Sequence, residues 1–235
     1  LPIFIAAALA APFAAAFPDA PKLRTIPGIE KSFAVTATVE KPKHGEQTAI
    51  WLKDGRLLLI WSEFVREDLL PPSERPPASP LRRDPTGDDG YARISGKTSS
   101  DGGHTWSKPF VVVDDKDALV NCISPGITRM ADGRLLLAYS WRSGGNGQDN
   151  YGNCAKMVRF SSDEGQTWSE RIRITPENKD YHTGCHDRAW TLDNGRVIVQ
   201  CHTIFPPGLA KPGPGAKHTC MGVYYAYSDD NGATW

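Results

Sequence analysis

The sequence predicts an all-β chain built as part of a β-propeller of four-stranded antiparallel blades. Three observations carry this expectation. An eight-residue phrase recurs, as SSDGGHTW at 99–106, SSDEGQTW at 161–168 and SDDNGATW at 228–235. A second phrase precedes each copy: an apolar run, an Asp-Gly or Asn-Gly pair followed by Arg, and another apolar run. No helix-period pattern lies between the copies, and tandem four-stranded units of this kind are propeller blades.

The first two strands of each unit come from the second phrase. It reads TAIWLKDGRLLLIWSEF from Thr48, GITRMADGRLLLAYSWR from Gly126 and AWTLDNGRVIVQCHT from Ala189. An X-Gly pair between two apolar runs is a strong local signal for a hairpin. A third strand follows in YARISGKTSS, CAKMVRFSS and MGVYYAYSDD. The eight-residue box then turns the chain into a fourth strand, SKPFVVVDD in the first unit and SERIRITPE in the second. The third unit has its box but no fourth strand. The repeat is roughly 60 residues long, in the range of propeller and array architectures. The blades are expected at about 44–115, 121–176 and 184–235, about three of the six that a complete ring of this kind would hold. FAVTATVE, Phe33 to Glu40, alternates and reads as an extra strand ahead of them.

Each box residue has a structural task. The Asp (Asp101, Asp163, Asp230) accepts N–H bonds inside its own turn, flanked by Ser99, Ser161 and Ser228. Gly103, Gly165 and Gly232 supply positive φ. Thr105, Thr167 and Thr234 bond back into the loop, and Trp106, Trp168 and Trp235 insert an aromatic face between strands. Calcium binding by the Asp or sugar stacking by the Trp is the functional alternative. A motif at one place in every blade is better explained as scaffold.

The chain has 235 residues, 40% hydrophobic and 23% charged, with net charge +0. That suits a globular protein with a sizeable core and gives no electrostatic reason to expect nucleic acid. LPIFIAAALAAPFAAAF at the start is apolar and uncharged, with Ala14 and Ala16 suiting a cleavage site. Residues 1–20 therefore read as what is left of a signal peptide, with a membrane anchor as the alternative. The expected location is secreted or periplasmic, without stable membrane association after cleavage. The five cysteines, Cys122, Cys154, Cys185, Cys201 and Cys220, show no metal-type spacing. They read equally as buried apolar residues or as disulfide partners.

The boxes resemble the Asp-box, or BNR, repeats of the sialidase (neuraminidase) superfamily. The text around them, NCISPGITRMADGRLLLAY and HDRAWTLDNGRVIV among it, is similar as well. The resemblance covers Phe33 to Trp235. It implies a metal- and cofactor-free glycoside hydrolase that removes a terminal sugar from a glycan or glycoconjugate. It also implies boxes on the rim, away from the catalytic face. In that family three arginines hold the sugar carboxylate, an Asp is the general acid/base, and a Glu-activated Tyr is the nucleophile. Bidentate Arg suits a carboxylate, and a neutral nucleophile avoids setting a second anion against it.

The opposite set of loops is then the mouth. The start of each first strand and the end of each second strand share that face. His44, Gly45, Glu46 and Gln47 lie there in the first unit, Asn121 and Cys122 in the second, His186, Asp187 and Arg188 in the third. The second strands and their loops add Glu63, Arg66, Glu67 and Asp68, then Arg142 and Gln148, then His202. Asp68 and Asp187 are the candidate catalytic acids. Glu46, Glu63, Arg66, Asn121, Arg142, His186, Arg188 and His202 are the candidate substrate contacts. The R-I-P arginine of the family has no counterpart in HGEQTAI, Asp68 matches by placement only, and the family's remaining residues belong to later blades. The chain alone is accordingly expected to be inactive. Two other readings stay open: a hydrolase or lyase for another sugar, and a non-catalytic propeller that binds glycan or protein. The Pro-rich stretch from Glu67 to Asp89 reads as an irregular insertion over the mouth, and the Gly/Asn-rich stretch from Arg142 to Asn153 occupies the same place in the second unit.

Overall fold

The computed structural model describes residues 32–144, 152–177, 181–203 and 222–235. Twelve strands form three sheets of four. The first runs β1 (Lys43–Trp51), β2 (Leu57–Phe64), β3 (Ala92–Ser99), β4 (Phe110–Val113), each antiparallel to the next. The second repeats this order with β5 (Asn121–Arg129), β6 (Leu135–Arg142), β7 (Cys154–Ser161) and β8 (Ile172–Arg173). In the third, β10 (Ala189–Thr191), β11 (Val197–Thr203) and β12 (Gly222–Ser228) pair in order, and β9 (His182–Thr183) pairs with the far end of β11. The third sheet thus reaches four strands by splitting its first strand in two, and no strand follows β12.

The sheets are stacked blades. β1, β5 and β10, the first strands of the three sheets, pack side by side. β6 (LLLAYSWR) is buried at every position because it has a blade on each face. Leu135, Leu137, Tyr139 and Trp141 pack towards the first blade with Leu58, Ile60 and Ile94. Leu136 and Ala138 pack towards the third with Ala189, Val197 and Val199. Each such fully buried side chain contributes about 1.5–3 kcal/mol of transfer free energy. This is why the central blade reads as unbroken apolar runs, without the alternation of a half-exposed sheet.

The predicted hairpins form. Leu52 N–H donates to Arg56 O and Gly55 N–H to Leu52 O, and the same pair of bonds closes the turns at Met130–Arg134 and Leu192–Arg196. Gly55, Gly133 and Gly195 have φ of 83°, 87° and 84°. This is the three-residue hairpin loop with a left-handed Gly at its bulge.

The boxes form as expected. In the second, Asp163 Oδ1 accepts from Thr167 N (2.9 Å) and Ser161 Oγ (2.8 Å), and Oδ2 accepts from Thr167 Oγ1 (2.5 Å). The first and third repeat this pattern with Asp101 and Asp230. A box also seats on the preceding blade. Glu164 accepts from Lys53 N and from both Arg129 Nη atoms, and Asn231 O accepts from Arg134 Nη2. The hairpin between the first two strands and the box between the last two therefore share one end of each blade.

One expected element is absent. Phe33–Glu40 is not a strand but an irregular segment lying on the first blade. Its backbone meets that blade only at scattered points, with Arg66 N–H donating to Glu40 O and Lys97 Nζ to Ala34 O. The insertion from Glu67 is irregular, as expected, apart from a single 3-10 turn at Glu67–Leu69, and Leu81 anchors it in the core. Residues 1–20, Gln148 and Cys220 lie outside the described residues. Cys122, Cys154 and Cys201 are buried and Cys185 is exposed, with no disulfide among them. No helix among the described residues is long and apolar enough to cross a membrane.

Candidate active site at the mouth

The mouth is built on one irregularity, repeated three times. β1 and β5 bulge near their starts, and the first strand of the third sheet bulges out of the ladder between Thr183 and Ala189; at each place one non-glycine residue has positive φ: Glu46 (53°), Ser124 (58°) and Asp187 (50°). Left-handed backbone at such residues is uncommon and is held only where the surroundings fix it. Here the three bulges fix one another. Glu46 accepts from Ser62 Oγ (2.8 Å), Ser124 N (3.0 Å) and Ser124 Oγ (2.9 Å). Asp187 N–H donates to Pro125 O (2.8 Å), and Thr48 Oγ1 donates to Asp187 Oδ1 (2.7 Å). All three first strands are tied together at this level.

Gly126 permits the closest approach. A Cβ there would lie 2.9 Å from Arg188 N and 3.5 Å from Asp187 Cα. The backbone of the third blade occupies the volume a side chain would need.

The sequence-predicted residues separate into two groups. Glu46, His186, Asp187 and Arg188 lie at the bulges, and the last three are exposed. His202 is half-buried beside them, with Nε2 3.3 Å from Thr183 Oγ1 and its ring stacked on Tyr181. Burial, helped by Lys156, holds the His202 imidazole below its ordinary pKa.

The second group is engaged by protein partners. Glu63 is 1% exposed and faces away from Glu46 across the pleat of β2. It accepts from Lys41 (2.9 Å), Arg93 (2.9 Å) and Ser95 (3.0 Å), which leaves little capacity for a ligand. Burial pushes its carboxyl up, but these cations bring it below the ordinary range. Asn121 is fully buried and donates to Asp88 O and Gly90 O, both at 2.8 Å. Arg142 is buried too, donating to Asp88 O (2.6 Å) and Asp89 Oδ1 (3.1 Å). These two residues clamp the end of the insertion to the second blade. Arg66 and Asp68 pair with each other at 2.6–2.9 Å. That pairing holds the Asp68 carboxyl below its ordinary pKa, the wrong direction for a proton donor.

Sequence reasoning missed Lys156. It is 1% exposed in β7 and reaches the Ser124 and Gly184 carbonyls. Its signal was present: in CAKMVRFS it shares the inward face with Cys154, Val158 and Phe160, a charge where alternation calls for an apolar residue.

No group of three or more His, Cys, Asp or Glu among the described residues is arranged to hold a metal. A cavity of about 540 Å³ lies at the rim between Leu58, Phe110 and Gly165, away from the mouth.

A family model described as "BNR repeat-like domain" matches residues 86–235, more than half of the chain. The chain belongs to the BNR repeat-like domain family. This BNR chain is also 27% identical over 167 residues to a sialidase from Paraclostridium sordellii, covering 67% of the chain and 41% of that relative. Among solved structures it is similar to a protein of unknown function from Dyadobacter fermentans (TM-score 0.59, 18% identity, 89% of this chain and 58% of that one). It is similar also to the Hadza microbial sialidase Hz136 (0.58, 17%, 83% and 37%) and the NanB sialidase from Streptococcus pneumoniae (0.56, 12%, 88% and 45%). These likenesses show a shared fold, the sialidase propeller. The chain spans about two fifths of the curated relative's length.

Proposed function

We propose that this BNR chain is part of an exported sialidase-like glycosidase that removes a terminal, sialic-acid-type sugar from glycoconjugates. The observation that carries the reading is the exposed Asp187, set on a strained bulge at the meeting of three first strands and flanked by His186 and Arg188. A carboxylate and a guanidinium on adjacent residues of a propeller mouth supply an acid/base candidate and an anion-binding candidate. Kinship with a curated sialidase supports the same class. Asp187 is the better acid candidate, because Asp68 is already neutralised by Arg66. Export rests on the apolar, Ala-rich first twenty residues alone.

A second reading, a carbohydrate-active propeller for another sugar, is favoured by one observation. The first strand begins HGEQTAI, and its bulge carries Glu46 where an arginine would be needed to meet a sugar carboxylate. The test is sugar release from a fluorogenic sialoside and from neutral and uronic-acid glycosides by the full-length protein. Release from the sialoside supports the first reading. Release from a different glycoside alone supports the second, and no release from any removes both.

A further inference from the structure

Lys156 and Glu46 grip the same residue from opposite sides. The Glu46 carboxylate accepts the N–H and hydroxyl of Ser124, while Lys156 Nζ donates to Ser124 O at 3.2 Å. The other two ammonium hydrogens have partners as well, Ser140 Oγ at 3.1 Å and Gly184 O at 3.4 Å. The ammonium thus joins the bulge of the second blade to the backbone three residues before Asp187. The fit is close: a Cβ on Gly184 would lie 2.8 Å from Lys156 Cε and 2.5 Å from Gln200 O.

A buried ammonium costs desolvation, and here three hydrogen bonds to groups of two blades offset it. The side chain thereby bridges the second blade to the third at one defined point. We propose that Lys156 is a positioning residue of the mouth: by tying the Ser124 carbonyl to the Gly184 carbonyl, it sets where Glu46 and Asp187 stand relative to each other. The functional side of this inference rests on the mouth being the substrate face; the structural side does not.

The groups facing Lys156 are Glu46 from β1, Cys201 and His202 from β11, and Cys185 from the segment before β10. Burial pushes the ammonium down to about 8, with Cys201, Glu46 and Cys185 acting in the other direction. Above that pH a neutral amine has two N–H donors for three acceptors and no charge to complement Glu46. The grip on Ser124 should loosen there.

The test uses amide hydrogen exchange on the full-length protein, comparing wild type with Lys156→Met and Lys156→Arg. Ser124 and Asp187 amides report the mouth, and the amides of Leu136 and Leu137, fully buried in the central strand β6, report global stability. In wild type the protection of the two mouth amides should fall about tenfold between about pH 7 and pH 9, with the β6 amides unchanged. In Lys156→Met, which leaves the Ser124 and Gly184 carbonyls without their donor, mouth protection should be low and flat with pH, beyond any general loss of stability. Lys156→Arg, which keeps its charge throughout, should lose the pH step. The proposal is overturned if mouth and β6 amides lose protection together, or if Lys156→Met protects the mouth as wild type does. Exchange needs no sugar. Failure of wild type to cleave a sialoside would count against the proposed function and leave this result standing.

Discussion

The Thr48 hydroxyl of the first blade donates to the Asp187 carboxylate of the third across 2.7 Å, linking residues 139 positions apart. Thr48 is buried and Asp187 is exposed, so the bond orients a carboxylate more than it stabilises the fold. Thr48→Val removes the donor and keeps the shape. Water can still reach Asp187, and the expected loss of stability in urea unfolding is about 0.5–1.5 kcal/mol. If Asp187 is the acid, sialoside hydrolysis should fall further than this, roughly ten- to a hundredfold, with little change in KM. A loss of stability without a loss in kcat would remove Asp187 from the chemistry.

Acid should unfold the chain partly through its boxes. Bonds from Thr167 and Ser161 hold the Asp163 carboxyl at about 2, and those from Thr234 and Ser228 hold Asp230 at about 2, against an ordinary value of 3.8. Asp101 is shifted in the same direction. A folded pKa below the unfolded one means that the unfolded chain binds more protons in this window. The stabilisation is fully present above about pH 4 and is lost as pH falls towards 2. Thermal midpoints measured across that window should drop steeply for wild type. Asp163→Asn, which has no proton to take up, should lower the midpoint at neutral pH and flatten the slope.

Arg142 clamps the insertion. Its guanidinium reaches Asp88 O and Asp89, beside the Asn121 amide on Asp88 O and Gly90 O. Arg142→Met keeps much of the packing but removes these charge-assisted bonds, at an expected cost of about 1.5–3 kcal/mol. The effect should be local. Limited proteolysis should cut within 67–90 before any other described segment, and Asn121→Ala should do the same more weakly. Uniform cleavage across the blades would show that the clamp has no separate role.

The local grammar of this chain was legible in its sequence, and the long-range grammar was not. Asp163, Gly165 and Thr167 bond within five residues, so spacing alone specifies the turn. Gly55 and its two counterparts are equally local. Phe33–Glu40 alternates like a strand, but alternation does not supply a neighbour, and only isolated bonds reach it. Asn121 and Arg142 have the side chains of ligand-binding residues, yet their partners are Asp88 to Gly90, carried by an irregular insertion whose path no spacing rule gives. Exposed and committed polar residues look the same in one dimension. Glu46 and Glu63 differ by which face of a sheet they occupy, and the bulge between Gly45 and Thr48 decides how Glu46 is aimed.

Two glycine substitutions separate the scaffold from the mouth. Gly232 belongs to the third box and has φ of 84°, and a Cβ on it would lie 2.5 Å from the Phe160 ring. Gly126 has no positive φ in its favour; its constraint is the third blade's backbone, 2.9 Å from the added carbon. A flexible side chain can move aside, whereas a strand held in its sheet moves as a unit. Gly232→Ala should therefore destabilise the seam between the second and third blades by about 1–3 kcal/mol through crowding and strain. It should leave the protection of the Asp187 amide in proportion to overall stability. Gly126→Ala should cost a similar amount but displace Arg188 and Asp187, stretching Asp187 N–H from Pro125 O and Thr48 from the carboxylate. Its signature in hydrogen exchange is an Asp187 amide that loses protection beyond the global change. If both variants shift every amide equally, the approach at Gly126 is ordinary packing, and the mouth is not tuned by it.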